Sequence, residues 1–213
     1  MTKERPILFN SQMVCAILAG KKTQTRRPLK PQPDVAPVGQ YFDAYRGGER
    51  GASGERAATG ACFWTTDNRV VSDSYWTDAP AELGDVLWVR ETWRTEELPS
   101  GEDGVRFAAD DAFVPIANTE KAADDWCVAH NNGKRGLKWC PSIHMPRWAA
   151  RIRLEVTDVS LERVQSITEE EARAEGIEKH NARDEFVRLW DRIYGPHSWT
   201  LDDYVWALTF RLR

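Results

Sequence analysis

Residues 5–10, RPILFN, carry a compact apolar run that predicts a short strand. Asn10 or Ser11 can cap the helix that follows. Met13, Val14, Ile17 and Leu18 recur there at helical spacing, and Gly20 supplies the stop. Lys21 and Lys22 then fall in a turn, and TQTRR reads as extended because threonine fits a pleated surface. Residues 31–82 lose the pattern. Pro and Gly cluster in PQPDVAPVG and RGGERGASGERAATG, which are loop signals, although FWTTD and the run from Val70 to Trp76 can form a hairpin. Order returns at GDVLWVRETW, residues 84–93, where a Gly84-Asp85 turn leads into an alternating strand. VRFAAD, from Val105, predicts another strand. Residues 110–140 read as irregular, with one short helix near Thr119–Trp126. From Trp148 a long or bent strand is expected, with Ile152, Leu154 and Val156 on one face and Arg151, Arg153 and Glu155 on the other. Thr168-x-x-Glu171 is a capping box that opens a helix ending at Gly176. A second helix presents Phe186, Leu189, Trp190 and Ile193 and ends at Gly195-Pro196, and YVWALTFRLR closes the pattern as a strand.

Strands outnumber helices and do not alternate with them, which argues an α+β class: a small mixed sheet or barrel with helices packed at its ends. A length of 213 residues fits one large domain, or a small one with long insertions, and 41 % apolar residues suffice for a core. The opening MTKERPILFN has no long apolar run and no stretch approaches a membrane span, so a cytoplasmic protein is expected. Cys15, Cys62, Cys127 and Cys140 show no tight pairing and are expected as free thiols. Cys127-x-x-His130 followed by Cys140-x-x-x-His144 is compatible with a tetrahedral zinc site, or with ordinary residues around an exposed loop. The ten tryptophans read mostly as core anchors, with a minority available to stack on bases.

A net charge of -4 argues against general coating of nucleic acid but leaves room for one basic groove. GKKTQTRRPLK, residues 20–30, is such a place: it holds five cations and no acid, and neither Asp nor Glu occurs from Arg5 to Pro33. Such a cluster is ordinarily a solvated face or a phosphate grip. It can also depress the pKa of a lysine within it, because like charge disfavours a second ammonium.

Gly20-x-Lys22-x-x-Thr25-x-Arg27 resembles the signature of the ASCH domain, a branch of the PUA-like barrel superfamily. The common signature has an acid where this chain has Thr25; a threonine there is similar to the bacterial acetylcytidine amidohydrolases. GDVLWVRETW and SIHMPRWAARI, residues 142–152, resemble blocks of phage and prophage ASCH proteins. The resemblance covers about 5–30, 83–94 and 142–212. It implies one PUA-like domain over 1–213, a mixed β-barrel with flanking helices and insertions at about 31–82 and 95–140.

The resemblance also implies a Lys/Thr/Glu site, carried over onto Lys22, Thr25 and Glu175, in a cleft between the Lys22–Arg27 strand, the Gly84–Trp93 strand and the helix bearing Glu175. Lys21, Arg26 and Arg27 are expected to attract phosphate or an oxyanion. Arg90 and Glu91 would lie at the barrel mouth, either binding ligand or serving as structure. His144 reads as an acid/base group or a structural histidine, and Arg147 with Trp148 as a nucleotide clamp or a strand-edge pair. No cofactor and no metal are expected. The expected partner is a nucleoside, RNA or single-stranded nucleic acid, and no membrane. Four readings stay open: an amidohydrolase on an acylated nucleoside, a non-catalytic RNA/DNA-binding module, a ribonuclease, and a phage accessory protein that contacts a host protein.

Overall fold

A computed structural model describes residues 2–30, 32, 42–43, 60–63, 75–132, 136 and 138–213. The strands are β1 (Glu4–Leu8), β2 (Gln24–Pro28), β3 (Phe42–Asp43), β4 (Gly60–Phe63), β5 (Tyr75–Asp78) and β6 (Val86–Arg90), then β7 (Trp93–Glu97), β8 (Asp103–Phe107), β9 (Phe113–Pro115), β10 (Arg153–Arg163) and β11 (Tyr204–Leu212). The helices are α1 (Ser11–Leu18), α2 (Glu120–Asn132), α3 (Glu169–Ala174) and α4 (Ala182–Tyr194). The class is α+β, and no closed barrel is found among the described residues. No helix among them is long and apolar enough to cross a membrane. The chain groups into two compact units.

The first unit comprises residues 21–85 and 155–211, with Met1 and Thr2. β11 pairs antiparallel with β2, setting Leu208 opposite Thr25, Ala207 opposite Arg26 and Trp206 opposite Arg27. β10 lies on the other side of β11. α3 and α4 pack around Val164, Ile167, Ala172, Phe186, Trp190 and Val205. Both helix starts follow from local chemistry. The Thr168 hydroxyl accepts the Glu171 N–H at 3.2 Å and the Glu171 carboxylate accepts the Thr168 N–H at 2.8 Å, which completes the capping box. The N–H groups of Ala182 and Arg183, orphaned at the start of α4, donate to the Glu169 carboxylate at 2.8 and 3.0 Å. Ile193, expected on the buried face, is 48 % exposed; Ala182 is buried instead, and Tyr194 packs against the core.

In this unit β3, β4 and β5 form a small antiparallel sheet. The hairpin expected from FWTTD and Val70–Trp76 falls mainly on residues outside the described ones; the strands seen are Gly60–Phe63 and Tyr75–Asp78. Along β10 the buried positions run Leu154 and Val156, then Val159 and Leu161. This one-residue slip in phase is the bend expected of so long a strand.

The second unit comprises residues 3–20 and 86–154, with the last two residues. β1 runs parallel to β6, from Glu4 opposite Val86 to Leu8 opposite Arg90. The Asn10 side chain accepts the Met13 N–H at 2.9 Å and caps α1, which Gly20 ends at φ +69°. α1 buries Val14, Ala16 and Ile17, while Leu18 is 40 % exposed, contrary to its expected place on the apolar face. β7, β8 and β9 form an antiparallel sheet over a core of Trp93, Val105, Phe107, Met145 and Ala149. α2 runs to Asn132, six residues beyond the helix the sequence predicts.

Candidate functional site

The basic segment GKKTQTRR is not one solvated face. Lys21 is exposed and pairs with Glu178 at 2.8 Å, a surface contact of little energetic weight. Lys22, one residue on, is 2 % exposed and points into the first unit. Its neighbourhood is set by backbone pairing with the end of α3: Lys22 and Glu175 form an antiparallel bridge, and the Thr23 N–H donates to Ala174 O at 2.8 Å. Gly176, at φ +93°, ends α3 there. The Lys22 ammonium donates to Glu175 Oε2 at 2.7 Å, to Glu175 O at 2.8 Å and to Gln24 O at 2.8 Å. Lysine and glutamate, 153 positions apart in the chain, thus form a buried ion pair.

Arg26 is the second buried cation. Its guanidinium bonds Glu162 at 3.0 Å, Glu171 at 3.2 Å and Glu175 at 3.5 Å, with its side chain fully covered. Lys22 and Arg26 therefore meet on Glu175, the residue that caps α3, and Arg26 also holds Glu171 of α3 and Glu162 of β10. Thr25 is 1 % exposed, and its hydroxyl accepts from Arg27 Nη1 at 3.0 Å. Arg27 is half-buried and bonds the Tyr194 phenol. Burial pushes the Tyr194 pKa up against the pull of Arg27, so the phenol is neutral at physiological pH.

The Lys22 pKa is lowered, mainly by burial. The charge and hydrogen bond of Glu175 oppose that shift, and Arg27 and Arg26 add to it. The sequence argument gave the neighbouring cations first place; desolvation takes it, because the ammonium lies in a covered position.

The structure brings Lys22, Thr25, Arg26, Arg27 and Glu175 together in the first unit. Arg26 is enclosed by carboxylates, so it holds the site rather than meeting a ligand. Apart from exposed Lys21, the remaining predicted residues belong to the second unit. Arg90 stands over the Trp88 ring at 5.6 Å. Glu91 is 1 % exposed and receives two bonds of 2.9 Å from Arg151, which also grips Asp110 at 2.9 and 2.8 Å and lies over Phe107. Burial pushes the Glu91 carboxyl up, against the pull of Arg151. Arg147 is engaged twice by Glu4, at 2.7 Å each. His144 and Trp148 line a common pocket.

The Cys127, His130, Cys140 and His144 quartet does not assemble: among the described residues no group of three or more potential ligands gathers. Cys127 is exposed, while the His130 ring stacks on Trp126 and sits 3.1 Å from Thr95 Oγ1. Cys140 is held by backbone bonds to Trp93. Burial raises its thiol pKa.

Sequence reasoning missed Glu162, Tyr194, Arg151 and Asp110 as parts of these clusters, and saw Glu171 only as a cap. Glu162 and Tyr194 carry no motif and come close only through packing. No protein-family model matches the chain, and no match was found among curated proteins or solved structures.

Proposed function

We propose that this chain is a PUA-like ASCH protein whose Lys22, Thr25 and Glu175 hydrolyse the amide of an acylated nucleoside. The observation that carries this reading is the buried Lys22–Glu175 pair at 2.7 Å, with Lys22 just ahead of β2, the strand that holds Thr25. In this scheme Lys22, its pKa lowered by burial, acts as the base. In its neutral amine form it takes the Thr25 hydroxyl proton, and the oxygen attacks the acyl carbon. The C–N bond breaks as Lys22 returns the proton to the departing amine, and water then hydrolyses the acyl-threonine ester. Glu175 aims the lysine, and Arg27, 3.0 Å from the Thr25 oxygen, steadies developing negative charge. Lys22, Thr25 and Glu175 are 2 %, 1 % and 6 % exposed, so this chemistry requires the cluster to open toward substrate.

A second reading, a non-catalytic binding module, is favoured by one observation. All three Lys22 ammonium protons have acceptors, one of them the carbonyl that caps α3, as in a structural strut.

The deciding experiment offers the full chain acylated cytidines, unmodified cytidine and single-stranded RNA and DNA, with Thr25→Ala and Lys22→Met alongside. The hydrolase reading expects deacylation, reduced about 100-fold or more in Thr25→Ala with nucleoside binding retained. Equal turnover in Thr25→Ala refutes the Thr25 mechanism; salt-sensitive binding with no turnover in the wild-type chain refutes the hydrolase reading and leaves the binding module.

A further inference from the structure

The second unit contains a pocket of about 480 Å³ that takes no part in the cluster above. One wall is a single face of α2, with Asp125, Val128, Ala129 and Asn132 at successive helical spacings. The facing wall is β7, through Trp93, Arg94 and Thr95, and the segment carrying Lys138, Pro146 and Trp148 closes it. The size falls in the range of small-molecule sites.

Its chemistry has two parts. The apolar part is aromatic: Trp148 meets Trp93 edge to face at 5.8 Å, with Pro146 alongside. Apolar surface here is also left in water. Val128 is 62 % exposed, and Trp139, 42 % exposed, lies 4.7 Å from the Arg94 guanidinium. An exposed tryptophan against an arginine is a surface on which a planar ring stacks.

The polar part is cationic. Arg94 and Lys138 both line the pocket. Nearby carboxylates are already engaged: Asp125 by Lys121 at 2.8 Å, and Glu96 chiefly by Arg106, leaving Arg94 a contact of only 3.4 Å. Lys138 is exposed and has no partner among the described residues. The Asn132 amide offers a donor and an acceptor to the edge of a heterocycle.

We propose that this pocket binds a nucleotide, with the base against Trp148 and the phosphate between Arg94 and Lys138. The ligand is a free mononucleotide or one unit of a single strand. The proposal uses none of the residues of the hydrolytic reading and stands whether or not that reading does. It also gives residues 95–140, which the family resemblance leaves uncovered, a ligand-binding role.

The test is calorimetric titration of the full chain with adenosine and uridine 5′-monophosphates, the matching nucleosides, inorganic phosphate and a hexanucleotide. Saturable binding of a monophosphate is expected, with nucleoside and phosphate each at least about fivefold weaker because each supplies half the contacts. Lys138→Glu, at an exposed position, and Trp148→Leu, with its fold checked by circular dichroism, should each weaken binding about tenfold. Saturation by the hexanucleotide alone, lost in the same two variants, also supports the site and identifies a strand as the source. No saturation by any nucleotide, or affinity unchanged in Lys138→Glu and Trp148→Leu, overturns the proposal.

Discussion

Replacing Glu175 with glutamine tests the energetic logic of the buried cluster. The substitution keeps the shape but removes the charge 2.7 Å from an ammonium whose side chain is fully covered. Leaving one partner of a buried pair uncompensated costs about 3–5 kcal/mol. Lys22 keeps two carbonyl acceptors, Gln24 O and Glu175 O, which places the expected loss near the lower end, about 3 kcal/mol. For a chain of this size that is roughly 6–12 °C in melting temperature. The pH dependence is specific. The folded-state pKa of Lys22 is depressed below its unfolded value of about 10.4. Between the two values the unfolded chain holds more protons, so stability rises as pH climbs through that window. Removing Glu175 removes the largest influence holding the ammonium charged, and the window widens downward. The deficit of Glu175→Gln is therefore greatest at neutral pH and shrinks toward pH ~10. Pairing it with Lys22→Met should recover at least half the loss, since removing the ammonium as well leaves no uncompensated charge at position 22. Thermal melts from pH 6 to 10 on both single variants and the double measure all of this. A Glu175→Gln loss below about 2 °C, or a double variant no better than the single, would refute a buried, mutually dependent pair.

Arg26→Gln should cost at least about 3 kcal/mol in denaturant unfolding at pH 7, because Glu162, Glu171 and Glu175 lose their shared cation. Thr168→Ala should cost about 1 kcal/mol in urea unfolding, the value of a lost helix cap, because Glu171 still has Arg26 to hold it.

Local chemistry was legible in the sequence wherever a few adjacent residues decide the outcome. Asn10 and Thr168 cap helices, Gly20, Gly176 and Gly195 end them, and TQTRR is a strand because these preferences act over one turn or one pleat. Periodicity also gave the mixed helix-and-strand class. It erred at Leu18 and Ile193, which sit at helical spacing yet face water, since spacing names a stripe and not how wide the covered part is.

The site was only half legible. A motif could point to Lys22, Thr25 and Glu175, but charge in a sequence carries no depth. It presented GKKTQTRR as one positive segment, where the fold leaves Lys21 in solvent and seals Lys22 and Arg26 among carboxylates. Those carboxylates come from β10 and α3, more than a hundred residues along the chain, and tertiary packing alone set them there. Burial then determined the sign of the Lys22 shift, because desolvation depends on what surrounds a charge and not on its neighbours in sequence.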